Sequence, residues 1–142
     1  MYNAISLLAE RHGAAWSTGP AVTRRFFSES IQQSTLFHYH GHCQLDQNVP
    51  ADQSLQLGDG PLAARDVFGM KLRSLHMTLV ACDSASQGIK DGDDPLGLVT
   101  VLLCAGAGSV LGTLWPTASG TGRFFSEQFY AELEIQQRHC GC

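Results

Sequence analysis

Six histidines and five cysteines are the residues of this 142-residue chain whose chemistry lies nearest neutral pH. Three of the histidines, His38, His40 and His42, alternate within Phe37-His38-Tyr39-His40-Gly41-His42-Cys43. Cys82 comes directly after the apolar run His76–Ala81 (HMTLVA). A cysteine attacks a carbonyl as its thiolate. A neighbouring imidazole makes that thiolate by accepting the proton, and later returns a proton to the leaving amine. The oxyanion formed in between needs backbone N–H donors close to both groups. Cys82, with the small residues Ala81, Ser84 and Ala85 around it, suits an exposed nucleophile. The plainer alternative is a core thiol, which is what most free cysteines are.

The elements that must position these groups can be read from the spacing of apolar residues. Tyr2–Arg11 reads as a helix, followed by a loop through Gly19-Pro20. Thr23 is placed to N-cap a helix over Arg24–Gln32, with Phe26, Phe27 and Ile31 spaced to face a core. Ser34–His40 is short and aromatic, and reads as a strand. Ser54–Leu57 with Gly58-Asp59-Gly60 reads as one arm of a hairpin and its turn, and Ala63–Gly69 as a short helix. His76–Ala81 is a buried strand ending at Cys82. Asp94-Pro95 opens a helix to about Ala105, Gly108–Trp115 is a further strand, and Ser119–Glu134 is a last helix with Phe124, Phe125, Phe129, Tyr130 and Leu133 toward the core. Strands alternating with helices predict an α/β fold with a mainly parallel sheet and helices on both faces. Ligands of such sheets bind beyond the carboxyl ends of the strands. His42 and Cys82 each fall just after a predicted strand.

Composition narrows the function classes. The length fits one domain over residues 1–142. A net charge of −4, with nine Lys and Arg and no basic cluster, gives no electrostatic footprint for nucleic acid and makes phosphate backbones poor candidate partners. The segment from Pro95 to Gly122 carries no charge, and Leu98–Trp115 is long enough to span a bilayer. Ala105-Gly106-Ala107-Gly108 interrupts it, so a helix, a turn and a strand are expected, and no membrane partner. An odd number of cysteines without a secretory leader predicts reduced thiols and a cytoplasmic setting. His139-Cys140-Gly141-Cys142 lacks a second pair at ligand spacing, and reads as a polar tail rather than half of a zinc site.

A metal reading of the histidine strand is the sharper alternative. If the strand continues to His42, then His38, His40 and His42 share one face, and three imidazoles leave an open position for a metal-activated water. The pattern resembles part of the metallo-β-lactamase-type dinuclear motif, but Gly41 stands where that family has an aspartate. His12, His76 and His139 supply no obvious further ligands. The expectation is therefore no metal and no cofactor, with His38 and His40 as strand side chains held by hydrogen bonds.

The same segments together resemble the CHAT domain, a caspase-like domain often found beside tetratricopeptide repeats. Phe37–Cys43 is similar to its HFxGHG-type segment and Leu79-Val80-Ala81-Cys82-Asp83-Ser84 to its LSACET-type segment. Gly19–Thr23 resembles the entry to the helix before the histidine strand. Ser54–Leu57 with Asp59–Leu62 resembles the hairpin, Asp94–Leu98 with Ala105-Gly106-Ala107 a helix and its turn, Val110–Pro116 the following strand, and Phe129-Tyr130 part of the last matched helix. The resemblance covers about residues 5–133. It implies a caspase-like three-layer α-β-α architecture with a mainly parallel sheet, incomplete at both ends, since nothing matches the family's first strand or its later WAxF segment.

Carried over residue by residue, the resemblance implies a Cys–His dyad of Cys82 and His42, with the backbone N–H groups of Cys43 and Cys82 as oxyanion donors. Cys43 stands where the family usually has glycine, and a β-carbon would displace the donor if that position needs a positive φ. The function expected is a cysteine endopeptidase module acting on protein substrates, with tetratricopeptide segments of a larger protein as partners. The alternatives are a catalytically inactive interaction module and the metal-dependent hydrolase. Asp83 and Asp46 are placed to favour a basic residue before the scissile bond, or are simply solvated loop acids.

Overall fold

A computed structural model of the chain describes residues 2–46, 49–74, 76–81 and 97–140. In chain order, its elements are α1 (Tyr2–Arg11), α2 (Arg24–Gln33), β1 (Leu36–His40), β2 (Cys43–Gln44), β3 (Ser54–Leu57), β4 (Gly60–Ala63), α3 (Ala64–Val67), β5 (His76–Val80), α4 (Leu98–Cys104), β6 (Val110–Gly112) and α5 (Ser119–Cys140). Two compact units emerge, one of residues 17–116 and the other of residues 1–16 with 117–142.

The larger unit is α/β. Its first sheet is parallel, in the order β1-β5-β6, and its second is antiparallel, in the order β2-β3-β4. Parallel partners point to the same face, so the register Phe37↔Met77, Tyr39↔Leu79 and Met77↔Val110 gathers one apolar face. Phe27 and Ile31 of α2 and Leu98, Val101 and Leu102 of α4 join that face in a single core. Phe27 meets Phe37 and Tyr39 edge-on, at centroid distances of 5.0 and 5.9 Å. Phe26, expected in the core, is 40% exposed. Buried Phe27 and Ile31 lie one helical turn apart, and Phe26 is rotated about 100° off their line.

Local chemistry accounts for where these elements begin and end. Thr23 caps α2 by accepting from the Phe26 N–H at 3.1 Å. Asp59, in the two-residue turn of the β3–β4 hairpin, accepts from the Arg24 N–H at 2.8 Å and so pins the hairpin to the start of α2. The Ser74 hydroxyl reaches the carbonyls of Ile31 (3.1 Å) and Ser34 (2.9 Å) at the other end of that helix. After α4, Gly106 adopts φ +113, with Gly106 N–H bonded to Leu103 O and Ala107 N–H to Leu102 O. That is the paired-bond helix stop that glycine makes available. The uncharged Leu98–Trp115 stretch is therefore helix, turn and strand, and no helix of the described residues is long and apolar enough to cross a membrane. The strand itself is only Val110–Gly112, shorter than Gly108–Trp115, because the Thr113 hydroxyl turns to the Ala81 carbonyl.

The smaller unit holds α1 and α5. His12 Nδ1 lies 2.9 Å from Glu134 Oε1, and its ring is 5.5 Å from that of Tyr130. Gly122, Ser126 and Tyr130 are buried at intervals of four residues, and Ser126 Oγ donates to Gly122 O at 2.8 Å. Phe124 sits two residues from that line, on the opposite side of the helix. It is 65% exposed and Phe125 47%, against the expectation that both face the core. The helix runs through His139 and Cys140, where a polar tail was expected.

Candidate active site

β1 and β5 run side by side in parallel, in a register that pairs Leu36 with His76 and His40 with Val80. Both strands stop at that last pair, and the Gly41 N–H continues the ladder by one bond to Val80 O, at 3.0 Å. The chain then leaves the parallel sheet. His42 is exposed at the junction, and Cys43 enters β2, where it pairs with Leu55 of β3. One imidazole thus stands beyond the carboxyl edge of the sheet, between its two sheets.

Tyr39 holds this junction from below. It is 8% exposed, and its hydroxyl lies 2.9 Å from the Gln56 carbonyl and 3.1 Å from the His42 carbonyl. The same His42 carbonyl accepts from the Gln56 N–H at 2.9 Å. Burial is the main reason that the Tyr39 phenol is pushed up to about 12, so it stays a neutral donor at any physiological pH. The ring passes so close under Gly41 that a β-carbon there would meet Tyr39 Cζ at 2.6 Å. Glycine at position 41 is thus set by packing against Tyr39.

Cys43 is half-buried and packs against the core. It is a residue of a paired strand, where backbone is extended and any side chain is admitted. The concern that a β-carbon at this position fights a positive φ is not met in this strand. Asp46 lies in the loop after β2, and its Oδ1 accepts from the Val49 N–H at 3.2 Å. Cys82 and Asp83 lie outside the described residues. Their neighbour Ala81 is 3% exposed, and its carbonyl accepts from the Thr113 hydroxyl.

The histidines divide into two groups. β1 ends at His40, so the continuing strand that would carry His42 onto the face of His38 and His40 is absent. His38 and His40 share the face opposite Tyr39, with ring centroids 6.3 Å apart. On the same face, His76 has Nδ1 2.7 Å from Ser109 Oγ and Nε2 3.0 Å from Thr78 Oγ1. Burial, reinforced by the neighbouring His40 and His76, pushes His38 down to about 4. Burial also lowers His40, with His42 adding to the effect, and lowers His76. These imidazoles are half-buried and held toward the neutral form. Among the described residues, no group of three or more His, Cys, Asp or Glu side chains is arranged to hold a metal ion.

Two residues that shape the site went unnoticed in the sequence. Tyr39 is one; its signal is an aromatic on the buried side of the histidine strand, two residues before a glycine. The other is Gln53, fully buried, whose Oε1 accepts from the Leu98 N–H at 2.7 Å and fixes the start of α4. A lone buried glutamine has no such signature in sequence.

The parallel sheet with helices packed on it makes the larger unit an α/β fold, a class in which ligands commonly bind beyond the carboxyl ends of the strands. Residues 2–139 match the CHAT domain, and the chain belongs to that family, a caspase-like, peptidase-related kind of module often found with tetratricopeptide repeats. A comparison with curated proteins finds no match.

Proposed function

We propose that the chain is a cysteine-type endopeptidase module in which Cys82 is the nucleophile and His42 its base. The observation that carries this reading is the β1–β5 register. Each β1 residue pairs with the residue forty positions later, and His42 and Cys82 keep that same separation just past the last pair. In sequence Cys82 follows Ala81, which itself comes directly after the end of β5. Membership of a peptidase-related family supports the peptidase side of the reading.

In the reaction, His42 accepts the thiol proton and the thiolate adds to the scissile carbonyl carbon. The carbonyl oxygen becomes an oxyanion, received by the N–H groups of Cys43 and Cys82. Collapse breaks the C–N bond, and His42 returns its proton to the leaving amine. Water, deprotonated by His42, then cleaves the thioester and regenerates the thiol. Asp83, directly after the nucleophile, and Asp46 favour a basic residue before the scissile bond, and repeat-containing segments of a larger protein are its partners.

Limiting iodoacetamide at pH ~6–7 tests this, because an imidazole-paired thiol ionises below the ~8.5 of a free one. Cys82 is expected to label first among the five cysteines. His42→Ala slows that labelling, His38→Ala and His40→Ala leave it nearly unchanged, and Cys82→Ala abolishes cleavage without unfolding. An inert Cys82 in folded protein, or a labelling rate indifferent to His42, refutes the reading and leaves an inactive interaction module.

A further inference from the structure

The His42–Cys43 peptide joins the two groups that the proposed reaction needs on this side of the site, the imidazole and one oxyanion donor. Its carbonyl accepts from the Gln56 N–H at 2.9 Å and shares the single Tyr39 hydroxyl proton, at 3.1 Å, with the Gln56 carbonyl at 2.9 Å. A trans peptide is planar, with its N–H pointing opposite to its C=O, and none of the chain's described peptide bonds is cis. Whatever fixes the carbonyl of His42 therefore fixes the direction of the Cys43 N–H.

The ladder says which direction that is. In an antiparallel pair, hydrogen-bonded and non-hydrogen-bonded positions alternate. The Gln56 N–H to His42 O bond makes His42 and Gln56 a bonded pair, so the next pair, Cys43 and Leu55, is of the other kind. The N–H of Cys43 thus faces away from β3, off the open side of β2, which is the edge strand of its sheet. An oxyanion donor has to face the reacting carbonyl rather than a neighbouring strand.

We infer that Tyr39 is a positioning residue of this site: its hydroxyl holds the His42 carbonyl and thereby sets the Cys43 N–H as a preorganised oxyanion donor. The inference rests on the peptidase reading for its catalytic consequence, and on the hydrogen bonds alone for the restraint itself. Three features fit the role. The phenol is buried and neutral, the ring shape demands glycine at position 41, and the second carbonyl in reach, that of Gln56, belongs to the strand against which the donor peptide is set. The role assigned to Tyr39 is exercised through the peptide it holds.

Tyr39→Phe removes the hydroxyl and keeps the ring. Alkylation of a thiolate by iodoacetamide forms no oxyanion, whereas cleavage of a peptide amide does, and this separates donor positioning from thiol activation. The probe is whichever fluorogenic peptide amide, from a library with Arg, Lys, Leu or Asp before the scissile bond, the wild type cleaves fastest. On folded protein, Tyr39→Phe is expected to lower kcat about tenfold, the scale of one lost hydrogen bond, with KM and the Cys82 alkylation rate each within about twofold of wild type. A parallel fall in kcat and alkylation, or an unchanged kcat, overturns the inference. If the wild type neither cleaves nor labels at Cys82, the peptidase reading fails, and amide hydrogen exchange decides the restraint. Exchange at the Gln56 N–H about tenfold faster in Tyr39→Phe, with Leu79 unchanged, upholds the tie. Equal exchange at Gln56 overturns it.

Discussion

Acidification should weaken this fold well before its carboxylates are titrated, and His38 sets the size of the effect. Its folded-state pKa is about 4 against an ordinary 6.5, because burial and two neighbouring imidazoles penalise the cation. The unfolded chain therefore takes up this proton at higher pH than the folded one. The stability contributed by keeping His38 neutral is whole above about pH 7, declines as the pH falls below 6.5, and is fully lost only below 4. A difference of that size corresponds to about 3 kcal/mol over the whole range, at 1.36 kcal/mol per pKa unit. Between pH 7.5 and pH 5 the expected loss is roughly 2 kcal/mol, and His40 and His76, both lowered, add to it in the same direction. Urea unfolding measures this directly. At an m-value of about 1–3 kcal/mol/M, the midpoint should drop by about 1 M between those two pH values. His38→Gln should flatten most of that dependence. A stability constant to within about 0.5 kcal/mol over this interval, or an equal fall in His38→Gln, would refute the reasoning.

Gly41→Ala should destabilise the fold by about 1–3 kcal/mol, since the new methyl meets the Tyr39 ring and one of them must move; chemical denaturation reads this. Gly106→Ala should cost about 1–2 kcal/mol, because φ +113 ends α4 and the added carbon also lies 3.1 Å from the Leu72 carbonyl. Gln53→Leu should cost about 1–3 kcal/mol by leaving the buried Leu98 N–H without this acceptor, whereas Gln53→Glu retains one. Purified protein should carry no stoichiometric zinc by elemental analysis; about one zinc per chain, lost in His38→Ala or His40→Ala, would reopen the metal-dependent reading.

How far the sequence was legible depended on the range of the interaction that decides each feature. Thr23 caps α2 through a bond three residues away, and Gly106 stops α4 through bonds within one turn, so both could be read locally. The strand β1 was legible because Phe37 and Tyr39 alternate with His38 and His40. Its end at His40 was legible too, but the route beyond it was not, because the chain leaves the sheet to meet β3, fifteen residues further on at Leu55. That departure takes His42 off the strand that carries His38 and His40, and with it removes the shared face on which a three-imidazole metal site depended. The length of β6 was misread for a similar reason, since Thr113 turns to a carbonyl thirty-two positions back.

The surroundings of Cys43 follow the same logic. By sequence alone, a cysteine in place of glycine beside the proposed base counts against an active site, because glycine commonly marks a strained backbone. Pairing with Leu55 changes that inference: in an extended strand the side chain turns to the core while the N–H points off the sheet edge. The glycine that the junction does require is Gly41, and the cause is the ring of Tyr39 rather than backbone torsion. The histidine segment thus carries two structural duties on opposite faces of one strand. Its polar face carries half-buried His38 and His40, whose rings are held toward the neutral form, which makes the fold sensitive to acid. Its apolar face buries Tyr39, whose hydroxyl holds the His42 peptide from below. Acid sensitivity should therefore track His38 and leave the Tyr39 tie intact, so folded protein at pH 6 should keep the slow Gln56 amide exchange of protein at pH 7.5 after correction for the intrinsic pH dependence of exchange. Loss of that protection at pH 6, in protein still folded, would mean that the two faces of β1 are coupled and that protonation reaches His42 through the strand.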